Sequence, residues 1–279
     1  MLKSGSYLGK HPGGDKEMGF EMILFAKREG VGIISLNRPK ILNPLNSRTF
    51  REISSALKDA RRDPDIRVVI LRGEGNAFSA GGDIKEIESF PPGDVNEFQD
   101  FMMLVKKTIL DLHSLEKPVI AAVNGLAYGA GFSLALACDI ILASEKARFC
   151  QVFVHVGLAP DAGSTYFLPR MIGTARTFPL IFLGEPVPAP EAQAMGLISR
   201  VVPGEKLEEE ALTLAKKVAQ GPTRAMGLAK RLVYTGLGKS LSDQLDEEAN
   251  VQTICRLTED HREGLRAFKE KRTPGFKGK

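Results

Sequence analysis

Pro118-Val119-Ile120-Ala121-Ala122-Val123-Asn124-Gly125-Leu126-Ala127-Tyr128-Gly129-Ala130-Gly131-Phe132-Ser133-Leu134-Ala135-Leu136 reads as a strand, a glycine-rich turn and a helix in succession. Pro118 to Val123 is a core strand by its unbroken apolar run. Gly129-Ala130-Gly131 follows it and opens an apolar helical run through Phe132, Leu134, Ala135 and Leu136. A helix start has free N–H groups and the positive end of a dipole, so it can hold an oxyanion. A dinucleotide site would need a third glycine at position 134, and that residue is Leu134.

On either side the pattern extends. Ile23 to Lys27 and Val31 to Leu36 are β-rich runs joined by Arg28-Glu29-Gly30, a hairpin signal. Asn46 starts a helical pattern through Phe50, Ile53, Leu57 and Ala60, with Asn46 or Ser47 as its N-cap. Arg67 to Leu71 is a buried strand, and Gly73 to Asn76 is the loop after it. Val95 to Leu115 is helical by its apolar spacing, and Cys138 to Ala143 is another core strand. This alternation predicts an α/β fold. From Thr174 onward β signals thin out to a single run, Leu197 to Val202. Leu207 to Ala219, Thr223 to Tyr234, Leu241 to Leu257 and His261 to Lys271 read as helices. The expected organisation is a flexible extension over 1–21, an α/β core over 22–203 and a helical cap or oligomerisation region over 204–279. No internal repeat is visible in the sequence.

Composition narrows the function. The 279 residues carry 38 Lys and Arg against 34 Asp and Glu, a net charge of +4. That balance argues against nucleic acid as a partner and leaves room for a local basic patch facing a phosphorylated small molecule. Cys138, Cys150 and Cys255 have no CxxC spacing, so neither a disulfide framework nor a zinc site is expected. Thiols within apolar segments fit a reducing, cytoplasmic location. The four histidines (His11, His113, His155, His261) lack metal-binding spacing, and no metal is predicted. No apolar run approaches the ~20 residues needed to cross a bilayer, so no membrane partner is expected. Met1 to Met22 lacks the apolar core of a secretory signal.

Two more turns complete a candidate site. In Phe78-Ser79-Ala80-Gly81-Gly82-Asp83, adjacent glycines after a strand let the backbone approach a ligand closely, although a plain tight turn uses the same residues. Two preorganised amides aimed at one oxygen form an oxyanion hole, each worth about 3 kcal/mol. In Gly157-Leu158-Ala159-Pro160-Asp161-Ala162-Gly163-Ser164-Thr165-Tyr166, one carboxylate sits between the apolar run Phe149 to Val156 and a helical segment. Taken alone, Asp161 reads as a helix cap before Ala162 to Thr165.

Asn37-Arg38-Pro39, Ala77 to Ile84, Lys117 to Gly125, Cys138-Asp139-Ile140, Ala192 to Leu197 and Arg262 to Phe268 together resemble the enoyl-CoA hydratase/isomerase (crotonase) superfamily. The resemblance runs from about Met22 to the C-terminus. It implies a crotonase (ClpP-like) spiral of ββα units with a C-terminal helical region, assembled as a homotrimer or hexamer. It places the oxyanion-hole amides at Gly82 and Ala130. It places substrate contacts at Lys40, Leu42, Phe78, Ala80, Asp83, Ile84, Tyr128, Phe132, Ser133, Phe153 and Lys271. Hydratases of this family carry two glutamates, and the matching positions here are Ser133 and Phe153. Adding water needs one group to deprotonate it and another to protonate the neighbouring carbon. Neither residue does this. Asp161 resembles the catalytic Asp of dienoyl-CoA isomerases and of ring-1,2-epoxyphenylacetyl-CoA isomerases, and Phe153 to Asp161 with Leu168-Pro169-Arg170 looks most like the second group.

The expected activity is therefore acyl-CoA isomerisation, with Asp161 as the base and no cofactor beyond the coenzyme A of the substrate. An enoyl-CoA hydratase and a non-catalytic acyl-CoA-binding protein stay open as alternatives. His155, flanked by Val154 and Val156, reads as structural. Lys269, Lys271 and Arg272 form a basic cluster that, by the resemblance, can reach coenzyme A phosphates across a subunit interface.

Overall fold

The structure is a computed structural model that describes residues 19–91 and 95–279. The extension expected over 1–21 falls, up to residue 18, outside the described residues. β1 (Ile23–Arg28) and β2 (Val31–Leu36) form the expected antiparallel hairpin. Its Glu29-Gly30 turn has φ values of 49° and 81°, the left-handed pair that matches strand twist in a two-residue turn. α1 (Ser47–Arg62) begins where the Asn46 side chain accepts from the Thr49 N–H at 2.8 Å. Then come β3 (Val68–Gly73), β4 (Ala77–Ser79), α2 (Ile84–Ser89), α3 (Val95–His113), β5 (Val119–Val123), β6 (Leu126–Tyr128) and α4 (Ala130–Leu136). β7 (Ile140–Ser144), β8 (Arg148–Cys150), α5 (Ser164–Ile172), α6 (Thr174–Leu183), β9 (Val187–Pro188), α7 (Ala189–Met195) and β10 (Arg200–Val202) follow. α8 (Leu207–Ala219), α9 (Thr223–Gly236), α10 (Leu241–Arg256) and α11 (Glu259–Glu270) complete the chain.

The strands form two sheets. The larger has the order β1-β2-β3-β5-β7-β10, parallel throughout except for β1. The smaller has the order β4-β6-β8-β9, with β4, β6 and β8 parallel. β3, β5 and β7 of the large sheet each continue through a short turn into β4, β6 and β8 of the small one. The chain thus winds as the α/β spiral that the resemblance implied. This is a structural repeat that the sequence does not display, because β4, β6 and β8 span only three residues each, too short for a periodic signal.

Alternation along the central strands divides the core. Val68 and Ile70 of β3 face one side with Ile120 and Leu142, while Val69 and Leu71 join the larger core on the other. The first side is covered by Leu207, Ala211, Ala215 and Ala219 of α8. Their spacing of four puts small side chains on one helical stripe and lets the helix approach the sheet closely. α8 is therefore a layer of the α/β core, although it falls within the segment 204–279 expected to be a cap. The apolar run Phe149 to Val156 also divides, into β8 and a 3₁₀ turn over Val152–Val156.

Candidate active site

The site begins at the C-terminal ends of the large-sheet strands, where the chain steps into the small sheet. The Phe78 to Asp83 turn is stitched to the loop before α1. Ala80 N–H donates to Leu42 O at 2.8 Å, Leu45 N–H to Gly81 O at 2.7 Å and Asp83 N–H to Leu45 O at 3.0 Å. Asn43 anchors that loop from beneath. It is 1% exposed, its Oδ1 accepts from Arg38 N–H, and its Nδ2 donates to Glu74 O and Ala77 O. Its carbonyl accepts from Ser79 Oγ at 2.8 Å. Asp83 caps α2 through Lys85 N–H and pairs with Arg38 Nη1 at 2.6 Å.

The Gly129 turn is pressed against this one. A Cβ on Gly81 would lie 2.8 Å from the Tyr128 carbonyl oxygen and 3.6 Å from the Ala130 nitrogen. A Cβ on Gly131 would lie 2.6 Å from Ser79 Cβ. Gly129 has φ 48° and ψ −124°, a conformation that side chains disfavour. Among the described residues, neither the Gly82 N–H nor the Ala130 N–H has a hydrogen-bond acceptor. α4 has seven residues and no side-chain cap, so its dipole adds little and the amides themselves are the donors on offer.

Asp161 lies in the loop before α5. The cap interpretation fails there. The N-cap of α5 is Gly163, with no side-chain cap bond. Ala162 (φ 48°) and Gly163 (φ 84°) are both left-handed and turn the chain before the helix starts. It is the Asp161 carbonyl that accepts from Ser164 N–H at 3.1 Å, Ser164 Oγ at 3.0 Å and Ser133 Oγ at 3.1 Å. Among the described residues the carboxyl receives no hydrogen bond, and its Oδ1 is buried. Burial without a partner pushes its pKa up from 3.8 to about 6.

The structure brings Lys40, Leu42, Ala80, Gly82, Asp83 and Ile84 to one rim. Lys40 is exposed in a 3₁₀ turn, and Ile84 is 52% exposed at the first residue of α2. Tyr128 joins them through β6, half-buried, with burial raising its phenol pKa. Phe153 is buried against Gly129, 3.6 Å from where a Cβ would stand. Phe78 and Phe132 are core residues, 0% and 1% exposed, with Phe132 packed on Phe149 at 5.1 Å between ring centroids. Ser133 is 0% exposed and its hydroxyl is occupied by backbone carbonyls. Lys271 caps α11, exposed, and α11 packs on α10. His155 has a ring nitrogen 3.0 Å from Gly184 O. A groove of about 450 Å³ adjoins the Asp161 loop, lined by Met102, Val105, Ile109, Leu110, Ala162, Gly163 and Phe167 among others.

Sequence reasoning left the supporting residues without a role. Asn43-Pro44 is a turn signal that could have drawn attention to Asn43. Arg38 and Ser164 give no local sign of their function, because their partners lie on other elements. Among the described residues no cluster of three or more His, Cys, Asp or Glu could hold a metal, and no helix is long and apolar enough to cross a membrane.

Comparison with known proteins agrees with this fold. The family model for enoyl-CoA hydratase/isomerase matches residues 26–279. The chain is 39% identical to 1,2-epoxyphenylacetyl-CoA isomerase of Escherichia coli K12, covering 93% of this chain and 99% of that one. It is 38% identical to mitochondrial enoyl-CoA hydratase of Pongo abelii, covering 92% and 88%. The solved structure of an enoyl-CoA hydratase from Bacillus anthracis superimposes with a TM-score of 0.88 at 36% identity, covering 93% of this chain and all of that one. From Ala26 through Lys279, the chain belongs to the enoyl-CoA hydratase/isomerase family.

Proposed function

We propose that within this family the chain is an acyl-CoA isomerase, shifting a double bond or rearranging a ring by moving a proton through a thioester enolate. The observation that carries this reading is the carboxyl of Asp161, half-buried at the turns with no partner among the described residues and raised to about 6. The other acidic side chains at the turns are engaged, Asp83 by Arg38 and Glu86 by the Ser47 N–H. The thioester oxygen binds between the N–H groups of Gly82 and Ala130. Asp161 removes a proton from the acyl group, the two amides hold the enolate oxygen, and the new carboxylic acid returns the proton to another carbon. One carboxyl suffices because the proton is moved rather than consumed. At neutral pH this carboxylate is ionised and roughly a hundredfold more basic than one at 3.8. The groove beside Ala162 and Gly163 suits an apolar acyl group.

Hydration lacks its second acid–base group, since Phe153 has no polar side-chain atom and the Ser133 hydroxyl is already bonded. No cofactor besides the coenzyme A of the substrate takes part. The chain assembles as a homotrimer or hexamer. In support, Phe178, Phe182, Leu241 and Leu257 are 48%, 65%, 75% and 76% exposed, surface that a second copy would cover. The test is a panel of acyl-CoA thioesters followed by ultraviolet absorbance and mass spectrometry. The expected result is product of unchanged mass. Hydration of crotonyl-CoA at an ordinary turnover, on the order of 10 per second, would overturn the isomerase reading in favour of a hydratase.

A further inference from the structure

Ser133, which the family resemblance matches to a glutamate of hydratases, points at no open space. Its side chain is 0% exposed on the first turn of α4. The hydroxyl lies 3.2 Å from Gly129 O and 3.1 Å from Asp161 O. Gly129 O belongs to the same peptide unit as the Ala130 N–H. One oxygen atom therefore contacts both the peptide that supplies an oxyanion donor and the residue that supplies the base.

We propose that Ser133 is a positioning residue, a strut that sets the Asp161 carboxyl relative to the Ala130 N–H without touching substrate. This inference rests on the isomerase reading. The one hydroxyl proton is shared between Gly129 O and Asp161 O. A hydrogen bond into a peptide carbonyl polarises the unit and strengthens its N–H as a donor, and Gly129 O also accepts from the Ser133 N–H at 3.0 Å. On the other side the Asp161 carboxyl has no hydrogen bond of its own, so the loop backbone alone fixes it. That backbone runs through left-handed Ala162, a conformation that persists only when its surroundings hold it. Ser133 and Ser164 supply the hold. The desolvation that raises the carboxyl's pKa acts within this same loop.

The experiment compares Ser133→Ala, Ser133→Thr and Asp161→Asn with the parent enzyme on the thioester of the panel that it isomerises fastest. In Ser133→Ala, turnover should fall about 10–10²-fold with KM little changed, the cost of a small misplacement. The melting temperature should hold to within a few degrees, because Ser164 still donates to Asp161 O. The Asp161 carboxyl, followed by carbon-13 NMR titration, should move from about 6 toward 3.8 as water enters. Ser133→Thr keeps the hydroxyl but adds a methyl to a fully buried site, so it should restore both readouts in part. Full turnover and an unmoved titration in Ser133→Ala overturn the inference, as does a loss that follows the folded fraction alone. Asp161→Asn separates the failures. If it is inactive while Ser133→Ala is normal, only the strut is wrong; if it is fully active, the isomerase reading itself falls.

Discussion

Two aspartates border the paired turns, and the molecule treats them in opposite ways. Asp83, 7% exposed, caps α2 and is held by Arg38 at 2.6 Å. Asp161 caps nothing and pairs with nothing, and its loop is clamped by its carbonyl instead. A buried carboxylate with a partner stabilises the fold, whereas one without costs stability and gains basicity. The first ties the start of α2 to Arg38, and the second is left without a partner among the described residues. Residue type alone does not divide them; solvation and pairing do.

The sharpest way to break this contrast is Asp161→Asn. Turnover should fall ~10²–10⁴-fold while calorimetry shows retained affinity for a saturated acyl-CoA. The variant should also melt higher than the parent at pH 7.5, by the equivalent of roughly 1–3 kcal/mol, because it removes a half-buried, unpaired charge. Burial raises the folded-state pKa, so the native chain is the tighter proton binder between pH 3.8 and about 6. The penalty is thus complete above pH 6 and vanishes below 3.8, and the two melting temperatures should converge at acid pH. A variant that melts lower at every pH would give Asp161 a structural role like that of Asp83.

Gly131→Ala attacks the contact that makes the two turns one site. Its Cβ would meet Ser79 Cβ at 2.6 Å and the Ser79 carbonyl at 2.8 Å. Stability should drop by about 1–3 kcal/mol, and turnover by at least tenfold as the amides separate. Unchanged kinetics would show that the spacing of the turns is not critical. Asp83→Ala should behave as the mirror image of Asp161→Asn. Losing a cap and stranding Arg38 should cost roughly 2–4 kcal/mol of stability in urea unfolding, with turnover per folded molecule reduced less than in Asp161→Asn. The mildest test changes only pH. Turnover should halve near pH 6 and fall about tenfold per unit below it, as Asp161 is protonated. A flat profile down to pH 4.5 would place the base elsewhere.

What the sequence determined by itself was local. The Glu29-Gly30 hairpin, the Asn46 cap of α1, the core strands and the helices of the last third follow from turn chemistry and apolar period, which neighbouring residues set within a few positions. The glycine turns and Asp161 were also legible as candidates, and the motifs carried the family. Tertiary structure decided the rest. The strands β4, β6 and β8 are too short to show a period and exist because they pair across successive turns of the spiral. α8 reads like its neighbours to the C-terminal side, yet it closes the second core because its alanine stripe meets β3 and β5. In the sequence Asp161 taken alone reads as a cap, and only the family resemblance makes it a base. Only the fold shows that it is no cap, by wrapping Ser133 and Ser164 around its carbonyl and leaving its half-buried carboxyl unpaired, because burial and pairing depend on residues distant in the chain.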